Sequence, residues 1–182
     1  MIYHSLEEIY AAKTAALQRI TQHIMPLTPV QVHFHPPDGG WSIAEIVEHV
    51  SIVESQLLQL ITSLLKKTEE ASRTGDMRSP FEVSLQSIFE RVHNEKTRTR
   101  DKFLPTGTIT VSNSLQALRD IQSELYTLQP RLQSADLSLA SFPHWIFGPL
   151  TLGQWLAFMG LHEERHLGQI KSIVTLPDFP KQ

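Results

Sequence analysis

Between Ser42 and Glu70 no proline or glycine interrupts the chain, and Ile43, Ile46, Val47, Val50, Val53, Leu57, Leu58, Ile61, Leu64 and Leu65 return with the period of an α-helix. A long helix with one continuous apolar stripe is stable only if other elements cover that stripe. The rest of the chain supplies candidates. Leu6, Ile9, Tyr10, Lys13, Leu17, Ile20 and Ile24 repeat at helical spacing over residues 5–25 and stop before Pro26. Ser114–Gln133 carries Leu115, Leu118, Ile121, Leu125 and Leu128, with Pro130 expected to kink or end the helix. A last helix is predicted from Leu152 to about Val174. No stretch alternates as a strand would, so the expected fold class is all-α, a four-helix bundle.

The connections are long. Pro26, Pro29, Pro36, Pro37, Gly39 and Gly40 leave the segment from Pro26 to Gly40 too rich in breakers for a regular element. Ser72–Pro80 is polar, and an additional helix is predicted from Phe81 to about Lys102 through Leu85, Ile88, Phe89 and Val92. Phe142–Pro149, with Trp145, Ile146 and Phe147, reads as a loop packed on the body. A chain of 182 residues, 41% apolar, suits one domain over residues 1–182.

Composition removes several functions. A net charge of −3 offers no large positive field for nucleic acid or an anionic membrane. The basic run Arg91, Lys96, Arg98, Arg100 and Lys102 is interleaved with Glu90, Glu95 and Asp101 and reads as a solvated helix face. The absence of cysteine excludes disulfides, thiol nucleophiles and thiolate metal sites, leaving His, Asp and Glu as metal ligands. No apolar run of about 18 residues and no signal-like start are present, so the expected location is cytoplasmic.

Two helix starts are built alike. Trp41-Ser42-Ile43-Ala44-Glu45-Ile46 places Ser at the cap, Glu at the third helical position, and Trp and Ile where they can clasp. Leu150-Thr151-Leu152-Gly153-Gln154-Trp155 repeats the arrangement with Thr and Gln. Capping alone accounts for Trp41, Ser42 and Glu45.

His162 and His166, four apart in the last helix, share a face about 6 Å apart, and the stripe they join also holds Trp155, Met159, Ile170 and Ile173. Two imidazoles on a buried face must be hydrogen-bonded or metallated. His49 lies on the apolar stripe of the Ser42–Glu70 helix. A bundle can bring the three together, with one metal position open to water or substrate, as in catalytic zinc sites. Closed, non-catalytic binding would need a further donor, for which His144, His33 and Asp38 are candidates. His162-Glu163-Glu164-Arg165-His166 also matches H-E-x-x-H, but no downstream third ligand of the peptidase kind follows it. Glu163 could border the metal as a catalytic candidate, although Glu163, Glu164 and Arg165 read more simply as a solvated or interface face. Gln169 could orient an imidazole, and His144, Trp145 and Phe147 are candidates for the pocket mouth.

These residues give the chain a family likeness. Gly40-Trp41-Ser42-Ile43-Ala44-Glu45-Ile46-Val47-Glu48-His49 resembles the W-S-x-x-E-x-x-x-H element of the DinB-like superfamily, and His162-Glu163-Glu164-Arg165-His166-Leu167-Gly168-Gln169-Ile170 resembles its H-x-x-R-H-x-x-Q-I element. That superfamily includes the YfiT-type metal-dependent hydrolases and the bacillithiol-type thiol transferases. The resemblance implies a bundle holding zinc or nickel on His49, His162 and His166. It also implies a small-molecule substrate, in some members a low-molecular-weight thiol, and a homodimer. The alternative is a bundle that binds a metal or small ligand without catalysis. Residues 71–140 resemble nothing nameable.

Overall fold

Each long apolar repeat forms a helix: α1 spans Leu6–Ile24, α3 Ile43–Ser72, α4 Val111–Ser134 and α5 Leu152–Val174. The computed structural model describes residues 2–72, 83–86 and 100–181. Most of the helix predicted at Phe81–Lys102 lies outside them. Within them, Val83–Ser84 is a strand and Asp101–Phe103 a 3-10 turn. The four long helices make a four-helix bundle in which α5 packs on α1 and α3, and α4 packs chiefly on α3.

The breaker-rich segment after α1 holds one regular element, contrary to the sequence expectation. Pro29–Val32 is a helical turn, α2, because Thr28 and Gln31 close a capping box and Pro29 fills the first turn, where a missing N–H costs nothing. Pro130 does not end α4, which continues to Ser134. The proline is on the exposed side, where the lost hydrogen bond is open to water, and Leu132, 1% exposed, anchors the last turn in the core.

Among the described residues two antiparallel strand pairs, too short to leave a period of two in the sequence, accompany the helices. β1 (Ile2–Tyr3) pairs with β2 (Val83–Ser84), Tyr3 opposite Val83. β3 (Ser141–His144) pairs with β4 (Gly148–Thr151), so the expected Phe142–Pro149 loop is a hairpin. Gly148 closes its turn at φ +75°, a conformation that favours glycine. Trp155 Nε1 donates to the Phe142 carbonyl at 3.1 Å and pins the hairpin to α5.

Both capping boxes are present. Ser42 N donates to Glu45 Oε2 at 2.8 Å while Glu45 N donates to Ser42 Oγ at 3.3 Å, and Thr151 and Gln154 do the same for α5. At α5, the neighbouring Leu150 and Trp155 are both core residues. α1 and α5 approach so closely that a Cβ on Gly160 would lie 3.3 Å from Lys13 Cα.

The apolar interior is divided. One cluster contains Leu6, Tyr10, Leu57, Ile61, Leu125 and Leu161, the other Leu17, Ile20, Ile46, Val50, Leu118 and Leu167. On three of the long helices buried polar residues stand near the junction of these clusters: Lys13 on α1, Glu54 on α3, and His162, Glu163 and His166 on α5. The buried polar groups therefore gather where α1, α3 and α5 face one another.

Candidate metal centre

His49 comes from α3, and His162 and His166 from successive turns of α5. The two helices pack against each other, and one ring nitrogen from each residue lies within 4.8 Å of the others. All three side chains are buried.

Hydrogen bonds fix two of the tautomers. His49 Nδ1 lies 2.6 Å from the Phe103 carbonyl oxygen, which only accepts, so Nδ1 carries the proton and Nε2 keeps its lone pair. His166 Nδ1 donates to Gln169 Oε1 at 2.7 Å with the same result. His166 Nε2 then faces His162 Nε2 at 3.1 Å. Two nitrogens on one tetrahedral zinc, each about 2.0–2.1 Å from it, stand roughly 3.3 Å apart, so the pair is spaced to share an ion.

Burial keeps all three imidazoles neutral. It lowers the His49 pKa, assisted by Arg165 and opposed by the bond to Phe103. It lowers His162 well below its ordinary value, with His166 and His49 adding to the effect. His166 falls to about 3 through burial and the neighbouring His49. Neutral nitrogens with oriented lone pairs are the donors that zinc and nickel favour, so the residues fit a divalent ion.

The histidines open onto a cavity of about 370 Å³. Trp41, Phe103, His144, Trp145, Phe147 and Phe158 wall it, and Arg100, Arg165 and Gln169 also reach it. Trp41 does more than cap: its ring lies 4.9 Å from that of His49. His144, Trp145 and Phe147 are where the sequence placed the pocket mouth. His33 and Asp38, also weighed as donors, do not line the cavity. His144 Nδ1 accepts from Ile146 N at 3.1 Å.

Glu163 is neither solvated nor at the histidines. It is fully buried, does not line the cavity, and accepts from Lys13 Nζ at 2.7 Å, while Glu54 Oε2 lies 3.0 Å from the same ammonium. The neighbouring Glu164 pairs instead with Arg19 at the surface. Sequence reasoning missed this triad, although Lys13 stood within the apolar repeat of α1 and a lysine there requires a buried counter-charge.

Two more residues escaped notice. Glu48, 1% exposed, accepts from Thr106 N and Oγ1 at 2.9 and 2.6 Å and from Gly107 N at 2.9 Å, fixing the chain just beyond Phe103. Arg100, read as part of a solvated basic run, lines the cavity. Neither role leaves a local sequence signal, because each depends on a remote segment.

Comparison with known proteins agrees with this architecture. The pattern of the DinB superfamily matches residues 13–170. The chain is 25% identical over 148 residues to the uncharacterized protein YuaE of Bacillus subtilis (strain 168), a match covering 81% of this chain and 85% of YuaE. Its fold is similar to that of YfiT from Bacillus subtilis, with a TM-score of 0.63 and 17% identity over 92% of this chain and 85% of that one. YfiT is described as a probable metal-dependent hydrolase with an unusual four-helix bundle topology. Among the described residues no helix is long and apolar enough to cross a membrane. With most of its length under the superfamily's pattern and its fold akin to YfiT's, the chain belongs to the DinB superfamily.

Proposed function

We propose that this protein is a metal-dependent enzyme acting on a small molecule, with hydrolysis as the leading reaction and His49, His162 and His166 as ligands of zinc or nickel. The observation that carries this reading is the convergence of three neutral imidazoles on one point that opens to a cavity. An ion held there supplies Lewis-acid activation of a water or a thiol. Phe103 and Gln169 orient two of the ligands, and aromatic side chains wall the cavity beside them. The likeness to YfiT, described as a probable metal-dependent hydrolase, supports the same class of chemistry.

Thiol S-transfer is the second reading, favoured by one feature. Among the described residues no carboxylate lines the cavity to act as general base. A thiol, ionising near pH 8.5, needs such a base far less than water does. Purely structural or sensory metal binding would require a fourth protein donor. The surroundings of His144, His33 and Asp38 do not favour one.

Elemental analysis of the purified protein beside His162→Ala is the deciding experiment. About one zinc or nickel per chain, lost in the variant while the circular dichroism stays helical, is the expected result; no metal in either after reconstitution overturns the reading. Spectra of the cobalt-substituted protein with added thiol then separate transfer from hydrolysis, because thiolate ligation gives a charge-transfer band. A homodimer is proposed from the resemblance alone, and light scattering tests it.

A further inference from the structure

From the histidines outward, one wall of the cavity is a run of rings in contact. Phe158 stands 6.0 Å from His162, His144 stands 5.2 Å from Phe158, and His144 stacks on Trp145 at 6.1 Å and 22°. Arg100 ends the run, its guanidinium carbon 5.4 Å from the centre of the Trp145 ring. Arg165, between the two histidines of α5, lines the same space. Among the described residues the cavity has no acidic lining group, and none of the ion pairs involves Arg100.

This combination selects a ligand. The Arg100 guanidinium beside aromatic walls, with no carboxylate among the described lining residues, leaves positive potential at a half-open cavity, and a divalent ion would add to it. A cation would be repelled there. A neutral polar group would gain little against its own desolvation. Ring faces accept an apolar or aromatic body, and guanidinium matches a carboxylate in a two-pronged geometry. We infer that the site takes a small aromatic carboxylate, its ring against the Trp145–His144–Phe158 wall and its carboxylate held by Arg100 and Arg165. The inference rests on the metal-dependent reading only for the reacting end of the molecule; the anion preference belongs to the arginines.

The test uses the full chain, metal-free and zinc-reconstituted, with three probes of similar size: 3-phenylpropionate, 3-phenylpropanamide and 3-phenylpropylamine. Calorimetry measures binding, and quenching of the tryptophans in the cavity wall confirms its location. In both metal states the carboxylate is expected to bind at least tenfold more tightly than the amide, with the amine weakest. Arg100→Gln and Arg165→Gln should each cut that preference at least threefold while changing amide binding less than twofold, and Arg100→Lys should restore part of it. Both arginines are exposed, and circular dichroism verifies that the variants fold. Equal binding of acid and amide, or no binding of either, overturns the proposal. A preference that needs zinc and survives both arginine variants also overturns it, since the ion alone then holds the carboxylate. Zinc content of the same samples reports separately on the metal site: a missing ion sinks that reading and leaves the metal-free preference to be judged by itself.

Discussion

Lys13 Nζ lies 2.7 Å from Glu163 Oε1, joining α1 to α5 one residue from His162. Glu54 completes the group from α3, so two carboxylates share one buried ammonium. Burial and the Glu54 charge push Glu163 up to about 8, with Lys13 opposing the rise; burial raises Glu54 as well. Burial thus favours the protonated form of these acids, and the Lys13 charge opposes it. Glu163→Gln, which imitates the protonated acid, is expected to change stability by less than about 1 kcal/mol. Lys13→Met strands two buried acids and should cost about 3–5 kcal/mol. Urea unfolding at pH 7 checks both, and equal losses in the two variants would refute the assignment. Zinc stoichiometry should survive Glu163→Gln, since Glu163 does not line the cavity.

Gln169 bonds the ring of His166 without being one of the three converging groups. Its replacement by alanine frees that ring to turn and should weaken zinc binding about 10- to 100-fold, with one ion per chain still bound at saturation. Competition against a chromogenic chelator measures it. Unchanged affinity would show that the amide does not orient the ligand.

Glu48 acts at one remove. Removing its carboxylate leaves Thr106 and Gly107 without their acceptor and should cost roughly 1–3 kcal/mol. It also loosens the nearby Phe103 carbonyl that holds His49. Glu48→Ala should therefore lose stability and zinc affinity together, whereas Thr108→Ala, a change at the exposed edge of the same turn, should alter neither much. Zinc titration beside thermal melting tells the two variants apart.

His144 gives a pH signature separate from the metal. Burial and the charge of Arg100 lower it from its ordinary 6.5 to about 4. Above pH 6.5 it is neutral folded or unfolded and has no effect. As pH falls from 6.5 to 4 the unfolded chain takes up a proton that the folded chain resists, so stability is lost through that window. Glu163, raised in the folded state, works the other way between about pH 8 and its unfolded value, so the comparison must be a difference. Metal-free His144→Phe should lose less stability than the parent between pH 6.5 and 4; parallel curves would contradict the assignment.

The four long helices were legible because each buries one stripe, and burying a stripe imposes a 3.6-residue period that local sequence records. Both helix starts were legible for a related reason: Ser42 with Glu45, and Thr151 with Gln154, satisfy backbone groups within one turn. The three histidines could be nominated because each sits on such a stripe. Pro130 left open whether α4 kinks or ends there, and the β3–β4 hairpin was hidden by strands of four residues.

What the residues alone determined, then, is the four long helices, the caps of α3 and α5 and the candidate ligands, all properties of neighbours along the chain. Tertiary structure decided how the helices are turned against one another. That rotation placed His49 against His162 and His166 and buried Glu163 on Lys13 rather than in the cavity. It also brought Arg100 over Trp145 and the Phe103 carbonyl onto His49. Such contacts join segments tens of residues apart, and their energies depend on distances and burial that exist only once the bundle has closed.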